Sequence, residues 1–435
     1  MKRLYIKTYG CQMNVHDSEQ IAQVLSYAYD LTDRPEEADL YLINTCSIRR
    51  KAEEKVRSLL GRLRSLKRHR PQMLIGIGGC VAQQEGKSLL GRVPHLDIIF
   101  GTHGIYRLPE LVRRRLETGK PVIDTQFNTD LQRSGDRQYS PGQLQTLVTI
   151  MQGCDNYCTY CIVPYVRGPE MSRPPEEILH EVKKFVHAGG KEVNLIGQNV
   201  NSYGRHLAED FSFPQLLRRL AKIPGLERLR FTTSHPRDLG KELIQCFAEL
   251  TVLCEHIHLP VQSGSNRILA QMNRGYTVEE YLQKVNQLRK ICPDLAITTD
   301  LMVGFPGETE ADFQATLSLM EEVAFDSSFF FKYSPRPQTR AAGFPDQIPE
   351  AVKTRRLALL KEVQERHCLE SHKKLIGQTK EALLEGFSKQ SSNQLCGRLR
   401  SNQVVNLTGP RELIGQLVPV RIEQAHLHSL GGCLE

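Results

Sequence analysis

Three cysteines fall within eight residues in the run Cys154-Asp155-Asn156-Tyr157-Cys158-Thr159-Tyr160-Cys161. The spacing is C-x3-C-x2-C, and it follows directly on a strand-like segment. Three thiolates this close in sequence can hold three corners of a [4Fe–4S] cube, leaving the fourth iron open to a substrate or cofactor. Zinc is the alternative. A tetrahedral zinc site wants a fourth Cys or His in a matching pair, and none follows Cys161 within a dozen residues.

Cys11, Cys46 and Cys80 are far apart in the chain. Yet each directly follows one of three strand candidates, in the contexts Tyr9-Gly10-Cys11, Asn44-Thr45-Cys46 and Gly78-Gly79-Cys80. The intervals of 35 and 34 residues approximate one strand–helix unit. In a parallel sheet, consecutive strand ends share one edge, where ligands of open α/β sheets bind. Topology alone can therefore gather these thiols. The competing reading is three unrelated buried cysteines. Glycines beside Cys11 and Cys80 permit the close backbone approach a cluster requires. Cys246, Cys254, Cys292, Cys368, Cys396 and Cys433 show no such arrangement and read as ordinary residues.

The elements that position these residues fall into three regions, matching the prior for 435 residues. Residues 1–120 alternate strands (Leu4–Tyr9, Asp39–Thr45, Met73–Gly79) with helices (near Ser18–Tyr27, Ala52–Lys67, Leu108–Leu116), which implies a parallel α/β sheet. Residues 121–143 read as a linker. The region 140–370 carries six strand candidates: Leu144–Met151, Val193–Gly197, Leu229–Ser234, Ile257–Val261, Ala296–Val303 and Ser327–Tyr333. Helices start between them near Pro175, Phe213, Leu239, Val278 and Glu310, and another spans 350–376. Six units suit a partial (β/α)6 barrel of TIM type with its site at the C-terminal strand ends. Residues 371–435 read as a small antiparallel β-barrel, OB-like in size, from runs at Thr379–Gly386, Leu395–Leu399, Val404–Thr408 and Gln416–Leu427. The fold class is α/β.

Composition narrows the setting. Hydrophobic residues are 40% and charged residues 24% of the chain, as in a folded soluble protein. No apolar run approaches the ~18 residues of a membrane span, and the N-terminus lacks a signal-peptide core. A cytoplasmic protein without membrane contact is expected. Twelve cysteines in that setting favour metal or redox chemistry over disulfides. The net charge of +8 is mild, but residues 49–70 alone hold ten Lys/Arg against two Glu. That segment is either a solvated helix or a phosphate-facing surface.

The run Cys154–Cys161, with an aromatic before its last cysteine, resembles the signature of radical S-adenosylmethionine (SAM) enzymes. That resemblance implies a cluster whose open iron chelates SAM and delivers the electron that yields a 5′-deoxyadenosyl radical. It further implies Tyr160 lying along the SAM adenine, and Gly197 and Gln198 at the turn that meets the SAM amino group. The combination with Tyr9-Gly10-Cys11-Gln12-Met13-Asn14, Asn44-Thr45-Cys46-Ser47-Ile48-Arg49, Gly197-Gln198-Asn199-Val200-Asn201-Ser202-Tyr203-Gly204 and a small C-terminal barrel resembles the methylthiotransferases. The C-terminal module resembles their RNA-binding TRAM domain. The match spans the chain and is nearest the branch acting on tRNA.

The resemblance implies two [4Fe–4S] clusters, on Cys154/Cys158/Cys161 and on Cys11/Cys46/Cys80, with SAM as co-substrate. The implied reaction adds a methylthio group to C2 of N6-isopentenyladenosine beside the anticodon, the second cluster giving sulfur and a second SAM the methyl. The implied partners are a tRNA anticodon stem-loop, a flavodoxin- or ferredoxin-type electron donor and a sulfur source, and the protein is expected to be a monomer. Such chemistry requires the N-terminal domain to cover the barrel mouth. Alternatives are methylthiolation of an aspartate of ribosomal protein S12, or a non-catalytic iron–sulfur RNA-binding protein. Arg50 departs from the branch, which usually has Glu there. Phosphate contacts are expected from Arg57, Arg62, Arg64 and the C-terminal barrel. His235, His256 and His258 read as structural.

Overall fold

The computed structural model describes residues 1–47, 50–127, 137–207, 211–388 and 393–435, with only the backbone of residues 50–53. Ile48 and Arg49 of the second motif, the Arg50 side chain and residues 128–136 of the expected linker lie outside the described residues.

The N-terminal sheet runs β1 (Lys2–Thr8), α1 (Gln12–Leu25), β2 (Tyr29–Leu31), β3 (Leu40–Thr45), α2 (Arg50–His69), β4 (Leu74–Gly79), α3 (Cys80–Glu85), α4 (Ser88–Arg92), β5 (Ile98–Phe100), α5 (Leu108–Thr118) and β6 (Val122–Asp124). Its order is β2-β1-β3-β4-β5-β6, all parallel. β3 and β4 are buried along their whole length, as parallel strands covered on both faces must be. One face packs on α1 and α5 through Ile21, Leu25, Leu108 and Leu111. The other packs on α2 through Val56, Leu59, Leu60 and Leu63. The helix thus buries its apolar stripe and leaves Arg57, Arg62 and Arg64 exposed. Lys67 is an exception to this basic surface, since it turns inward to Asp97 at 2.7 Å. The sheet also extends further than its three sequence-evident strands. β6 lies inside the segment read as linker, and β2, β5 and β6 have only three residues each, too few to show a period.

The central domain continues with β7 (Gln145–Thr149), β8 (Met151–Gln152), α6 (Val163–Arg167), β9 (Met171–Ser172), α7 (Pro175–His187), β10 (Glu192–Ile196), α8 (Phe213–Leu220), β11 (Arg228–Phe231), α9 (Lys241–Glu249), β12 (His256–His258), α10 (Asn266–Gln271), α11 (Val278–Ile291), β13 (Ala296–Val303), α12 (Glu310–Val323), β14 (Ser327–Lys332) and α13 (Glu350–Lys373). Two parallel three-stranded sheets, β7-β10-β11 and β12-β13-β14, meet through a bridge between Leu229 and Leu253. No pairing joins β7 to β14 among the described residues, so the six strands form a partial barrel. The helix starts follow local chemistry: proline in the first turn of α7 and α8, and Thr277 and Thr309 capping boxes at α11 and α12.

The C-terminal strands β15 (Thr379–Phe387), β16 (Leu395–Leu399), β17 (Val404–Leu407), β18 (Leu417–Ala425) and β19 (Leu430–Leu434) close a barrel in the order β15-β16-β17-β19-β18. The expectation of a purely antiparallel barrel is corrected here, because β17 and β19 pair parallel. The sequence reading missed β19, whose Leu-Gly-Gly-Cys-Leu lacks a β-branched alternation.

This small barrel docks on the N-terminal ends of the central strands, opposite the cysteines. Fully buried Arg228 donates to the carbonyl oxygens of Arg398 (2.7 Å) and Glu381 (3.1 Å) and pairs with the Glu381 carboxylate at 2.9 Å. Arg230 donates to the Leu399 and Arg400 carbonyls at 2.8 and 2.6 Å. Arg400 pairs with Glu255, Lys380 with Asp294 and Arg398 with Glu385. These three cations of the C-terminal barrel therefore serve internal contacts, while Arg411 and Arg421 stay exposed.

Arg228→Ala would strand two carbonyls in a dry interface and take a cation from the buried Glu192 carboxylate 3.8 Å away. It should lower stability by about 3 kcal/mol, seen as a lower urea midpoint, whereas an unchanged midpoint would show that the small barrel docks without this arginine.

Candidate metal and cofactor centre

The strand order of the N-terminal sheet reverses between β1 and β3, and ligands of such sheets sit in the crevice at that point, beyond the C-terminal strand ends. Cys11 follows β1, Cys46 follows β3 and Cys80 follows β4. Gly10 (φ +141°) and Gly79 (φ +87°) make the approach possible. A Cβ on Gly10 would lie 2.6 Å from the Cys46 Cβ, and one on Gly79 would lie 2.4 Å from the Thr45 carbonyl oxygen. Two buried amides join the loops. The Asn14 Nδ2 donates to the Asn44 side chain (3.2 Å) and the Thr45 carbonyl (3.0 Å), and its Oδ1 accepts from the Cys11 backbone at 3.3 Å. Asn44 returns a bond to the Asn14 carbonyl at 2.9 Å.

The thiols respond to one another. A hydrogen bond with Cys46 brings the Cys11 thiol down to about 6, against burial and with help from Arg167. Burial pushes Cys80 up. The Ser47 hydroxyl beside Cys46 is buried without a partner among the described residues.

The second set of thiols sits on the loop after β8. Gly153 (φ +81°) has no room for a side chain, since a Cβ would lie 1.8 Å from the Pro169 carbonyl oxygen. The Cys154 N–H donates to the Gly168 carbonyl at 3.2 Å and the Cys161 N–H to the Cys158 carbonyl at 2.9 Å. Thr159 ties the loop to α10 through the Met272 carbonyl (3.0 Å) and the Gln271 carbonyl (2.9 Å). Burial pushes both Cys154 and Cys161 up to about 12, and each also feels Cys158.

Among the described residues no three His, Cys, Asp or Glu side chains converge on a single ion. Three thiols from each set are the donors that three corners of a [4Fe–4S] cube take. The thiolate donor set, the three obligatory glycines and the orphaned Ser47 hydroxyl fit such a group.

Sequence reasoning missed several residues around the Cys154–Cys161 loop. Buried Arg274 donates to the Cys158 sulfur at 3.4 Å while fixed by the Pro260 carbonyl (2.7 Å) and the Tyr276 hydroxyl (3.0 Å). Gln198 accepts from the Gly153 N–H at 2.6 Å. That contact makes it a support of the cysteine loop. Gly197 abuts Met151, whose Cγ would lie 2.5 Å from a Cβ there. Tyr160 is half-buried and packs on Ile268, Met272, Phe305 and Tyr333. At the neighbouring strand ends four buried polar atoms have no partner among the described residues: Glu170 Oε1, Asn199 Oδ1, Ser234 Oγ and His235 Nε2. They are linked through residues 199–202, where Ser202 meets Glu170 at 2.8 Å and the Asn201 amide donates to the His235 carbonyl at 3.0 Å. His256 and His258 are held by Thr298 at 3.3 and 3.0 Å.

The two triads lie on one side of the molecule. α3, which begins at Cys80, packs on α6, which begins two residues after Cys161. Cys80, Ile162 and Val166 share one apolar cluster. Thr102 donates to the Val166 carbonyl at 2.6 Å, and His103 meets the Arg167 carbonyl at 3.0 Å. On the other flank, His16 contacts Thr149 at the end of β7 (3.2 Å) and Gln12 accepts from Thr232 just beyond β11 (3.0 Å). The N-terminal domain therefore covers the mouth of the partial barrel.

Comparison with known proteins agrees with this arrangement. The Radical SAM superfamily matches residues 148–320, an uncharacterized protein family (UPF0004) residues 3–101, and the TRAM domain residues 373–434. The fold is similar to that of the radical S-adenosylmethionine methyltransferase TsrM from Kitasatospora setae, with TM-score 0.58, 14% identity, and 79% of this chain and 74% of that chain covered. The chain is 53% identical over 437 residues to the tRNA-2-methylthio-N(6)-dimethylallyladenosine synthase of Geobacter metallireducens, covering 99% of this chain and 98% of the relative. It is 51% identical over 433 residues to the synthase of that name from Syntrophus aciditrophicus, covering 99% and 94%. The chain belongs to the tRNA-2-methylthio-N(6)-dimethylallyladenosine synthase family.

In metal-free protein at neutral pH, iodoacetamide should label Cys11 ahead of Cys154 and Cys161. The Cys11 rate should climb as pH rises through about 6 and its thiolate accumulates. Peptide mass spectrometry reads this order, and earlier labelling of Cys154 would contradict it.

Proposed function

We propose that this protein is a radical SAM methylthiotransferase that converts N6-isopentenyladenosine beside the tRNA anticodon into its 2-methylthio form. Cys154, Cys158 and Cys161 hold one [4Fe–4S] cluster, and Cys11, Cys46 and Cys80 hold the other. When bound, these clusters and SAM supply hydrogen abstraction from an unactivated C–H bond, a sulfur for the vacated carbon and a methyl group. The observation that supports the reading is the packing of α3, which starts at Cys80, against α6, which follows Cys161. A substrate carbon between the two sets can be reached from both sides without leaving the site.

The chain's own residues bind and orient. Arg274 and Gln198 keep the Cys154–Cys161 loop in place. Glu170, Asn199, Ser234 and His235 offer partnerless polar atoms to the amino, carboxylate and hydroxyl groups of SAM, and Gly197 gives the turn its closeness. The Tyr160 ring, held on the Ile268 and Met272 side of the loop, would take the adenine. Burial and the charges of Arg274 and Arg237 hold His235 neutral, so its free nitrogen is available as a hydrogen-bond partner and does not add to the positive field. Tyr157 keeps 48% of its surface exposed beside Cys158 and offers a stacking face to an unstacked base. Arg57, Arg62 and Arg64 bind the RNA backbone. The enzyme works in the cytoplasm as a monomer, with a flavodoxin- or ferredoxin-type reductant and an external sulfur source. No described helix is long and apolar enough to cross a membrane.

The direct test is anaerobic reconstitution with iron, sulfide, SAM and reductant, followed by mass spectrometry of tRNA nucleosides. Cys158→Ala should abolish both SAM cleavage and product. Cys46→Ala should keep SAM cleavage and lose the methylthio nucleoside. Product from the second variant would remove the Cys11/Cys46/Cys80 triad from sulfur delivery.

Binding of tRNA should weaken steeply with salt. Arg57→Ala and Arg64→Ala should each reduce the slope of log K against log salt by about 1, and an unaltered slope in the double variant would place the RNA elsewhere.

A further inference from the structure

Arg167 ends α6 in the central domain, six residues after Cys161 in the chain. Its side chain crosses into the N-terminal domain. It is 3% exposed and forms a 2.7 Å ion pair with Asp17, which is itself buried on α1. Its charge draws down the Cys80 and Cys11 thiols, and its helix packs on the one that begins at Cys80. One guanidinium therefore belongs by sequence to the first cysteine loop and by position to the second triad.

A buried cation needs compensation, or its desolvation is prohibitive. Asp17 balances it once. Five N–H donors exceed what one carboxylate can accept, and after Asp17 the next charges this guanidinium feels are those of Cys80 and Cys11. Three thiolates around a [4Fe–4S] core leave a net negative charge, which Arg167 is placed to offset. Hydrogen bonds and charges next to sulfur ligands are what set the potential of such a cluster.

We infer that Arg167 and Asp17 form a charge pair that positions the cluster of Cys11, Cys46 and Cys80 and tunes its reduction potential from the opposite domain. This inference rests on the two-cluster reading above. Arg167 is a positioning residue in this scheme. Because its backbone carbonyl meets His103 (3.0 Å) and the next carbonyl, that of Gly168, accepts from Cys154 (3.2 Å), the contact that tunes one cluster also fixes the loop of the other.

The sign of the effect is diagnostic. Removing the positive charge makes electron addition harder, and removing the negative charge makes it easier. The test uses the full chain with Cys154, Cys158 and Cys161 all changed to Ala, so that only the second triad reports. Iron and sulfide are counted, and the midpoint is taken by redox titration followed by electron paramagnetic resonance. Arg167→Gln should move the midpoint to more negative potential, Arg167→Lys should do so by less, and Asp17→Asn should move it to more positive potential. Loss of packing alone would not give opposite signs. Loaded variants with the parent midpoint, or with shifts of one sign, overturn the inference. Should Arg167→Gln fail to load, Arg167→Lys and Asp17→Asn decide by the same rule. A parent background that binds no cluster instead overturns the second-triad reading itself.

Discussion

The proposed reaction requires the two cysteine triads to look into one space, and the short helix α6 joins the domains that carry them. It begins two residues after Cys161 and ends at Arg167, whose guanidinium is buried against Asp17 of the opposite domain. A cation without water needs its partners in fixed places, so this contact sets the angle at which the N-terminal sheet meets the barrel. Its neighbours reinforce it. Thr102 and His103 clamp the carbonyls of Val166 and Arg167, and the next carbonyl, that of Gly168, holds the Cys154 N–H. A shift of α6 would move both cysteine sets together.

The opposite end of the central domain is fixed by another use of arginine. Arg228 and Arg230, near the N-terminal ends of their strand, reach carbonyls of the small barrel. The two ends thus divide the work: cysteines and orphaned polar atoms at the C-terminal strand ends, and a rigid joint at the N-terminal ones. A stem-loop that touches the small barrel and also delivers a base to the mouth must run along the side of the central domain. Among the described residues no strand pairs with the outer edge of β7 or of β14.

The order of strands and helices in the central domain was legible because each unit carries its own signals: proline or threonine at helix starts and β-branched runs in strands. The cysteines were legible for a similar reason. Those of the first set are adjacent in sequence, and those of the second recur at one topological position. Strands β2, β5 and β6 are set by pairing with longer neighbours, and three residues cannot display a period. Arg167, Arg274 and Asn14 were illegible because their roles come from contacts across 150, 116 and 31 residues. An arginine ending a short helix looks like a solvated charge until the partner domain is in place. Basic residues misled in the other direction. Lys67, Arg398 and Arg400 counted toward an RNA-facing surface, yet they neutralise Asp97, Glu385 and Glu255 within the fold.

The polar residues near the triads spend most of their hydrogen bonds on backbone. Asn14 holds Thr45, Gln198 holds Gly153 and Thr159 holds Gln271. An enzyme working by acid–base transfer would instead aim such groups at the substrate, with pKa values near its working pH. Here the thiols of Cys154 and Cys161 are pushed up by burial and His235 is held neutral. These surroundings fix loops and leave acceptors free. That distribution is what cofactor-borne radical chemistry needs from its protein, because the reactive groups arrive with the cofactors and the chain must hold them at set distances.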